Sequence, residues 1–164
     1  MMYFDGEYCF SLSDSNEIDE NIDAIIGFEP TQVIKKGESI TSKRVAPYNI
    51  WMYLLEFDST NFDYVTEIFA QRLSRFKDNI KSIIPRYERV EIDIYVRSEY
   101  GQFGFTICNN ELAELSTMGL NINFHILSFG LVRDVRFPKK RTKKQCKKFN
   151  VPFPKIRTKS NARG

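Results

Sequence analysis

Apolar and polar residues alternate along three stretches of the chain, and this period of two predicts strands with one buried side. The stretches are residues 3–12, 90–96 and 120–126. In the first, Tyr8, Phe10 and Leu12 share one side. Two further strands are predicted at residues 32–36 and 51–57, the second compact and apolar. Residues 98–101 form a predicted turn, after which residues 103–107 would return as the second strand of a hairpin.

A helical spacing of apolar residues separates these strands. Asp14 and Glu17 resemble a capping box, so the first helix is predicted to start at Asp14, continue through four isoleucines and end at Gly27. The longest helix is predicted to start after Thr60 or Asn61 and to end at Pro85. A short third helix follows residues 109–110. Residues 38–47 are polar and irregular, which indicates a loop.

The predicted order is β-α-β-β-α-β-β-α-β. Strands that neighbour each other along the chain favour an α+β fold, in which helices lie on one face of a mainly antiparallel sheet. The nearest common motif is the ferredoxin-like β-α-β-β-α-β arrangement. A single sheet that is covered by helices in two units fits the order equally well. The pattern does not determine the order of the strands within the sheet.

Charge divides the chain of 164 residues into two parts. Residues 1–130 hold 11 Lys and Arg against 20 Asp and Glu, a net charge of −9, whereas residues 131–164 hold 13 Lys and Arg against one Asp, a net charge of +12. We therefore predict an α+β domain over residues 1–130 and a basic, disordered tail over residues 131–164, because like charges at this density repel.

Several classes of protein are disfavoured. No apolar stretch is long enough for a transmembrane helix, and residues 1–10 lack the features of a secretory signal. Three widely spaced cysteines suit reduced thiols, which predicts a cytoplasmic protein. A single histidine and the absence of paired-ligand spacings argue against a metal site. No cofactor is expected, because neither common phosphate-binding motif occurs.

Candidate chemistry is sparse. Glu91 and Asp93 share one strand face, which we interpret as solvated, and His125 is interpreted as a surface residue because no sequence signature supplies a catalytic partner. Trp51 is assigned to the core rather than to an interface, given its apolar neighbours. Cys9 lies in a strand near acidic residues, which would raise the pKa of its thiol. No motif in the sequence combines a nucleophile, a general base and a group that orients the base, so we predict that the protein is not an enzyme.

One combination of motifs resembles a known family. The sequence Gly27-Phe28-Glu29-Pro30-Thr31 follows a short amphipathic helix, Lys36-Gly37 lies downstream, and Trp51 opens the next strand. These features are similar to those of the bacterial domain of unknown function 4279 family over residues 2–129, with Phe28 where that family usually has Ile or Leu. The resemblance implies a cytoplasmic bacterial α+β domain without an established activity and without catalytic residues to transfer. By analogy with small bacterial domains of this size, an immunity protein is one expected role.

Two functions remain open. The first is a protein-binding module, such as an immunity protein, whose acidic surface neutralises a basic toxin. Its predicted contact residues lie on the first helix and on one strand face: Glu17, Asp19, Glu20, Asp23, Glu91 and Asp93. The alternative is nucleic-acid binding through the basic tail, by neutralisation of phosphates. The residues predicted for it are Lys139, Lys140, Arg141, Lys143, Lys144, Lys147 and Lys148. Two other interpretations of the tail stay open: it folds back on the acidic part of the chain and masks it, or it is a solvated extension without a specific role. No membrane partner is expected.

Overall fold

The three alternating stretches form strands of a five-stranded sheet in the computed structural model, which describes residues 4–131. The strands are β1 Asp5–Asp14, β2 Gln32–Ile34, β3 Ser39–Thr41, β4 Arg44–Val45, β5 Asn49–Asp58, β6 Arg89–Tyr100 and β7 Asn121–Leu131. The helices are α1 Ile22–Ile26, α2 Phe62–Arg75, α3 Lys77–Ile83 and α4 Asn109–Ser116, with a 3-10 turn at Ile84–Arg86. The predicted disordered tail lies outside the described residues apart from Leu131.

The main sheet has the order β2-β5-β1-β6-β7. β1 lies in the middle and pairs antiparallel with β5 and β6, and β2 pairs antiparallel with β5. β7 pairs with β6 in parallel. The predicted α+β class and mainly antiparallel sheet are therefore confirmed. The ferredoxin-like order is not confirmed.

The predicted hairpin after residue 97 is wrong. β6 continues to Tyr100, and residues 102–108 have no regular secondary structure. Phe103, Phe105 and Ile107 nevertheless pack against the core. An extended connection that presents every second side chain to a core has the same alternation as a strand, so the pattern could not separate the two. The strand that does pair with this side of β6 is β7, after a crossover through α4.

The boundaries of two predicted helices also differ. Asp14 is the last residue of β1 rather than a helix cap, because the residues after it are not helical and α1 starts only at Ile22. Its carboxylate accepts hydrogen bonds from the N–H groups of Asn16 and Glu88, at 2.8 and 3.1 Å. α1 ends as predicted at Gly27, whose φ of 104° is left-handed. The long helix is broken into α2 and α3 at Phe76, where φ is −111°, and a 3-10 turn containing Pro85 ends α3.

Aromatic side chains fill the core between the helices and one face of the sheet. Tyr8 of β1 stacks on Phe69 of α2 with a centroid distance of 4.9 Å, and Trp51 meets Phe10 edge to face at 5.9 Å. Such pairs contribute about 0.5–1.5 kcal/mol each beyond the burial of their area. Trp51 is only 1% exposed, so its assignment to the core is confirmed. The predicted loop at residues 38–47 contains the small β3–β4 hairpin, which pairs with itself and not with the main sheet.

Candidate functional site on the open face of the sheet

The face of the sheet that points away from the helices is uncovered in the part of the chain that the structure describes. We call it the open sheet face. Because side chains alternate along a strand, the registers of β1, β5, β6 and β7 define its members. They are Asp5, Glu7, Cys9, Ser11, Ser13, Ile50, Met52, Leu54, Glu56, Asp58, Arg89, Glu91, Asp93, Tyr95, Arg97, Asn121, Asn123, His125 and Leu127.

This face is strongly acidic. Its six carboxyl groups belong to Asp5, Glu7, Glu56, Asp58, Glu91 and Asp93, against two guanidinium groups on Arg89 and Arg97. Arg97 Nε donates to Asp5 Oδ1 at 2.7 Å, so one of the two cations is already paired. Glu7 and Glu56 lie opposite each other in the register, and their carboxylates make no hydrogen bond to any other described residue. Charges of one sign spread over one surface produce a potential that attracts oppositely charged partners.

A polar cluster lies where β6 meets β7. The parallel register places Asp93 beside Asn123 and Tyr95 beside His125. Asn123 Nδ2 donates to Glu91 Oε2 at 3.0 Å and to Asp93 Oδ1 at 3.2 Å. His125 Nε2 is 2.8 Å from the same Asp93 oxygen, and its ring stacks on Tyr95 with a centroid distance of 4.5 Å. These contacts hold the imidazole in one orientation, with Asp93 side chain 11% and His125 side chain 48% exposed.

The acidic surroundings change the protonation of two neighbours. Burial, reinforced by the negative charges of Asp93 and Glu7, raises the pKa of the Cys9 thiol to about 12. Burial and Asp93 likewise raise the pKa of Tyr95 to about 12. The direction for Cys9 is the one expected from the sequence. A thiol that stays protonated at neutral pH is a poor nucleophile, so this arrangement suits binding better than covalent chemistry through Cys9.

A depression of about 530 Å³ adjoins the polar cluster, lined on the open sheet face by Glu7, Tyr95, Arg97, His125 and Leu127. Nδ1 of His125 has no hydrogen-bond partner among the described residues, so this ring nitrogen is free to form a hydrogen bond with a polar group of a ligand. Within residues 4–131, no group of three or more His, Cys, Asp or Glu side chains is arranged to hold a metal ion. No described helix is long and apolar enough to cross a membrane.

The six predicted contact residues do not form one site. Glu91 and Asp93 lie on the open sheet face, whereas the other four line a separate depression of about 310 Å³ beside Trp51 and Lys35. Glu17, Asp19 and Glu20 precede α1 rather than lying on it, since the segment after β1 is not helical until Ile22.

Two of these four carboxylates have structural partners. Asp23 accepts a hydrogen bond from the buried indole N–H of Trp51 at 2.7 Å. Asp19 pairs with Arg86 at 3.3 Å. Glu17 and Glu20 are exposed and make no hydrogen bond or ion pair with other described residues, which leaves them available to a partner. The basic residues from Lys139 to Lys148 lie outside the described residues.

Sequence reasoning did not include the acidic residues of β1 and β5 among the contact residues, and it missed the contact between His125 and Asp93. Glu7 could have been found, because it alternates with Tyr8 and Phe10 in the predicted first strand. The His125–Asp93 contact had no local signal. It depends on the parallel register of β6 and β7, whose contacting residues are 32 positions apart.

Comparison with protein families fits this description. The family described as Domain of unknown function (DUF4279) matches residues 9–129. The chain belongs to this family. The match extends from the middle of β1 into β7, so the DUF4279 unit includes the polar cluster and most of the open sheet face, whereas Asp5 and Glu7 precede it. No curated protein and no solved structure matches the chain.

Proposed function

We propose that this DUF4279 domain is a protein-binding module, without an enzymatic reaction of its own, whose open sheet face receives a positively charged protein. The observation that carries the proposal is an uncovered sheet face with six carboxyl groups and two guanidinium groups. An immunity protein that neutralises a basic toxin in the cytoplasm is the form of this function that we favour. A toxin that acts on nucleic acid needs a basic surface for its polyanionic substrate, and an acidic face can occlude that surface.

The composition of the face supports a protein as the ligand. Met52, Leu54 and Leu127 add apolar area beside the carboxylates, and Tyr95 adds an exposed aromatic ring. Interfaces combine such residues, with aromatic side chains enriched and water excluded around a few anchors. Opposite charges then accelerate encounter with the correct partner and reduce association with acidic proteins. Glu17 and Glu20 provide a second acidic surface for a partner that extends beyond the sheet.

The experiment is a comparison of three double variants of the full chain. Basic proteins captured by the immobilised chain at low salt would be purified, and their dissociation constants measured by calorimetry. Glu7→Gln with Glu56→Gln removes two charges from the open sheet face. Glu29→Gln with Glu67→Gln removes two exposed charges elsewhere and is the matched control.

We expect the open-face variant to bind about tenfold more weakly, since each exposed charge at an interface contributes on the order of 0.5–1 kcal/mol. The control should stay within about twofold of the unmodified chain. Equal weakening of both variants would mean that net charge alone attracts the partner. A third variant, Glu17→Gln with Glu20→Gln, measures the contribution of the second acidic surface, and loss confined to it would move the site away from the sheet.

A second candidate function is nucleic-acid binding through the tail, and it is favoured by 13 Lys and Arg against one Asp in residues 131–164. Neutralising seven phosphate contacts would make affinity fall steeply with salt. The test is binding of single-stranded and double-stranded oligonucleotides at several salt concentrations. Replacing the seven basic residues from Lys139 to Lys148 with Gln in the full chain should abolish binding, and unchanged binding would rule this function out.

A further inference from the structure

The outer edge of the sheet at β7 has no backbone partner among the described residues. β7 is 11 residues long and pairs only with β6 on its inner side. The opposite edge strand, β2, has only three residues. Short edge strands are a usual protection against pairing with other chains, and β7 lacks that protection.

The composition of β7 also lacks the usual protection. Asn121–Leu131 contains no Asp, Glu, Lys, Arg or Pro, which are the residues that commonly block pairing at an edge. Four large apolar side chains of this strand are about half exposed: Phe124 at 48%, Ile126 at 56%, Leu127 at 51% and Phe129 at 63%. These side chains lie along an unpaired edge, where a further strand would cover them.

We propose that two copies of this chain associate through β7, antiparallel and about a twofold axis, so that the two sheets continue into one sheet of ten strands. An antiparallel register centred on Phe124 keeps the open sheet faces of both copies on the same side, because residues of equal parity then oppose each other. It places Phe124 against Phe124 and Ile122 against Ile126. On the open side it places Asn123 against His125.

Charge selects a second copy over a foreign basic strand as the occupant. Residues 1–130 carry a net charge of −9, so a stable contact between two copies must avoid placing like charges against each other. β7 meets that condition, since no Asp, Glu, Lys or Arg of one copy would face one of the other. It also offers no carboxylate of its own that would select a basic segment. At its centre the register described above pairs apolar with apolar and polar with polar residues, as a self-complementary interface requires, whereas Asn121 faces Leu127 at each end.

The area fits a weak dimer. The register overlaps residues 121–127 of the two copies, so it covers Phe124, Ile126 and Leu127 and leaves Phe129 outside. Large apolar side chains carry about 150–250 Å² each, so covering the exposed half of three of them buries on the order of 300 Å² per copy. The pair would bury about 600 Å² from these side chains, and the strand backbones with the polar side chains would bring the total towards the ~1,000 Å² of a specific interface. We therefore expect association in the micromolar range rather than an obligate dimer.

The test is sedimentation velocity of the full chain from about 1 to about 200 µM, which brackets a weak dimer. The expected result is a reversible shift towards twice the mass of one chain. Ile126→Lys should weaken dimerisation at least tenfold, since it places a charge at the paired edge. Leu127→Lys tests the same edge from the open side, in case Ile126→Lys is unstable. Val33→Lys on β2, at a residue that is 51% exposed, is the matched control and should have no effect.

A covalent trap tests the register. With Cys108 and Cys146 replaced by Ser, Phe124→Cys should form a disulfide-linked dimer on oxidation, because directly opposed residues have Cβ atoms about 4.5–5.5 Å apart. Val33→Cys in the same background should stay monomeric. A chain that remains monomeric at the highest concentration overturns the proposal. So does a dimer that Ile126→Lys and Leu127→Lys leave intact.

Discussion

Replacing Asp23 with Ala should destabilise the folded domain by about 2 kcal/mol, although Asp23 looks from the sequence like one of several equivalent surface carboxylates. In the structure its Oδ1 accepts the indole N–H of Trp51 at 2.7 Å, and Trp51 is 1% exposed. Asp23→Ala leaves that N–H without its acceptor inside the protein. A glutamate that precedes the same helix, Glu20, is exposed and serves as the control.

The magnitude follows from the kind of hydrogen bond that is lost. A hydrogen bond to a charged group contributes about 1.5–3 kcal/mol, and an unsatisfied buried donor costs about 1–3 kcal/mol. The better helix propensity of Ala, about 0.5 kcal/mol, is offset by the loss of a negative charge in the first turn of α1, worth about 0.3–1 kcal/mol. The net expectation is therefore about 2 kcal/mol. Asp23→Asn keeps an acceptor oxygen without the charge and should lose about half as much.

The assay is urea unfolding of the full chain followed by the fluorescence of Trp51, which is the only tryptophan and lies at the perturbed hydrogen bond. Glu20→Ala should stay within about 0.5 kcal/mol of the unmodified chain, as surface substitutions usually do. Equal stabilities of the Asp23→Ala and Glu20→Ala variants would refute the structural role of Asp23. Asp23 would then be as available to a partner as Glu17 and Glu20.

Three further predictions concern protonation and backbone geometry. Cys9 is 4% exposed and its pKa is raised to about 12, so it should resist alkylation at pH ~8 in the folded chain, while the exposed Cys108 reacts. Peptide mass spectrometry measures the labelling of each cysteine, and comparable labelling of the two would contradict the burial of Cys9. The N–H of Asn16 chiefly lowers the pKa of Asp14 below its ordinary 3.8, so Asp14 stabilises the fold above that pH and the stabilisation is lost as pH falls through the lower folded-state pKa. The stability difference between the unmodified chain and Asp14→Asn should therefore shrink in urea titrations from pH ~6 to pH ~3, and a constant difference would contradict this linkage. Gly27→Ala should lower the free energy of unfolding by about 1–3 kcal/mol in urea, because φ at Gly27 is 104° and a Cβ atom there would lie 2.5 Å from the Phe76 ring. An unchanged urea midpoint would be inconsistent with that close contact.

Local patterns predicted much of the fold. The alternation around Tyr8 and Phe10 marks β1 correctly, and Gly27 ends α1 where the turn chemistry places it. Trp51 lies in the core because its apolar neighbours put it on a buried strand. These features depend on residues close together along the chain, and this is the range over which hydrophobic period and capping act.

Features that depend on distant contacts were predicted wrongly or missed. Residues 103–107 have the alternation of a strand but pack on the core as an irregular connection, since β7 pairs with β6 instead. The predicted long helix breaks at Phe76, whose ring centroid lies 5.4 Å from that of Phe28 in the connection between α1 and β2. The spacing of apolar residues along the helix gives no signal of this tertiary contact.

The candidate site divides in the same way. The acidic side of β6 at Glu91 and Asp93 follows from alternation, whereas the pairing of Asp93 with His125 needs the register of two strands joined by a crossover. The grouping of Asp23 with Glu17 and Glu20 was too coarse, because net charge does not distinguish a carboxylate that holds a tryptophan from one that faces solvent.

The most direct test of the central claim, that the open sheet face binds a basic protein, is a titration of the isotope-labelled full chain with a captured basic partner, followed by amide chemical shifts. The largest changes in chemical shift should occur along β1 and β6, at Glu7, Tyr95 and their neighbours, and at His125 of β7. They should diminish as salt is raised, because exposed charges are screened. Changes confined to α2 and α3, on the opposite side of the sheet, would show that the partner does not bind at the open sheet face.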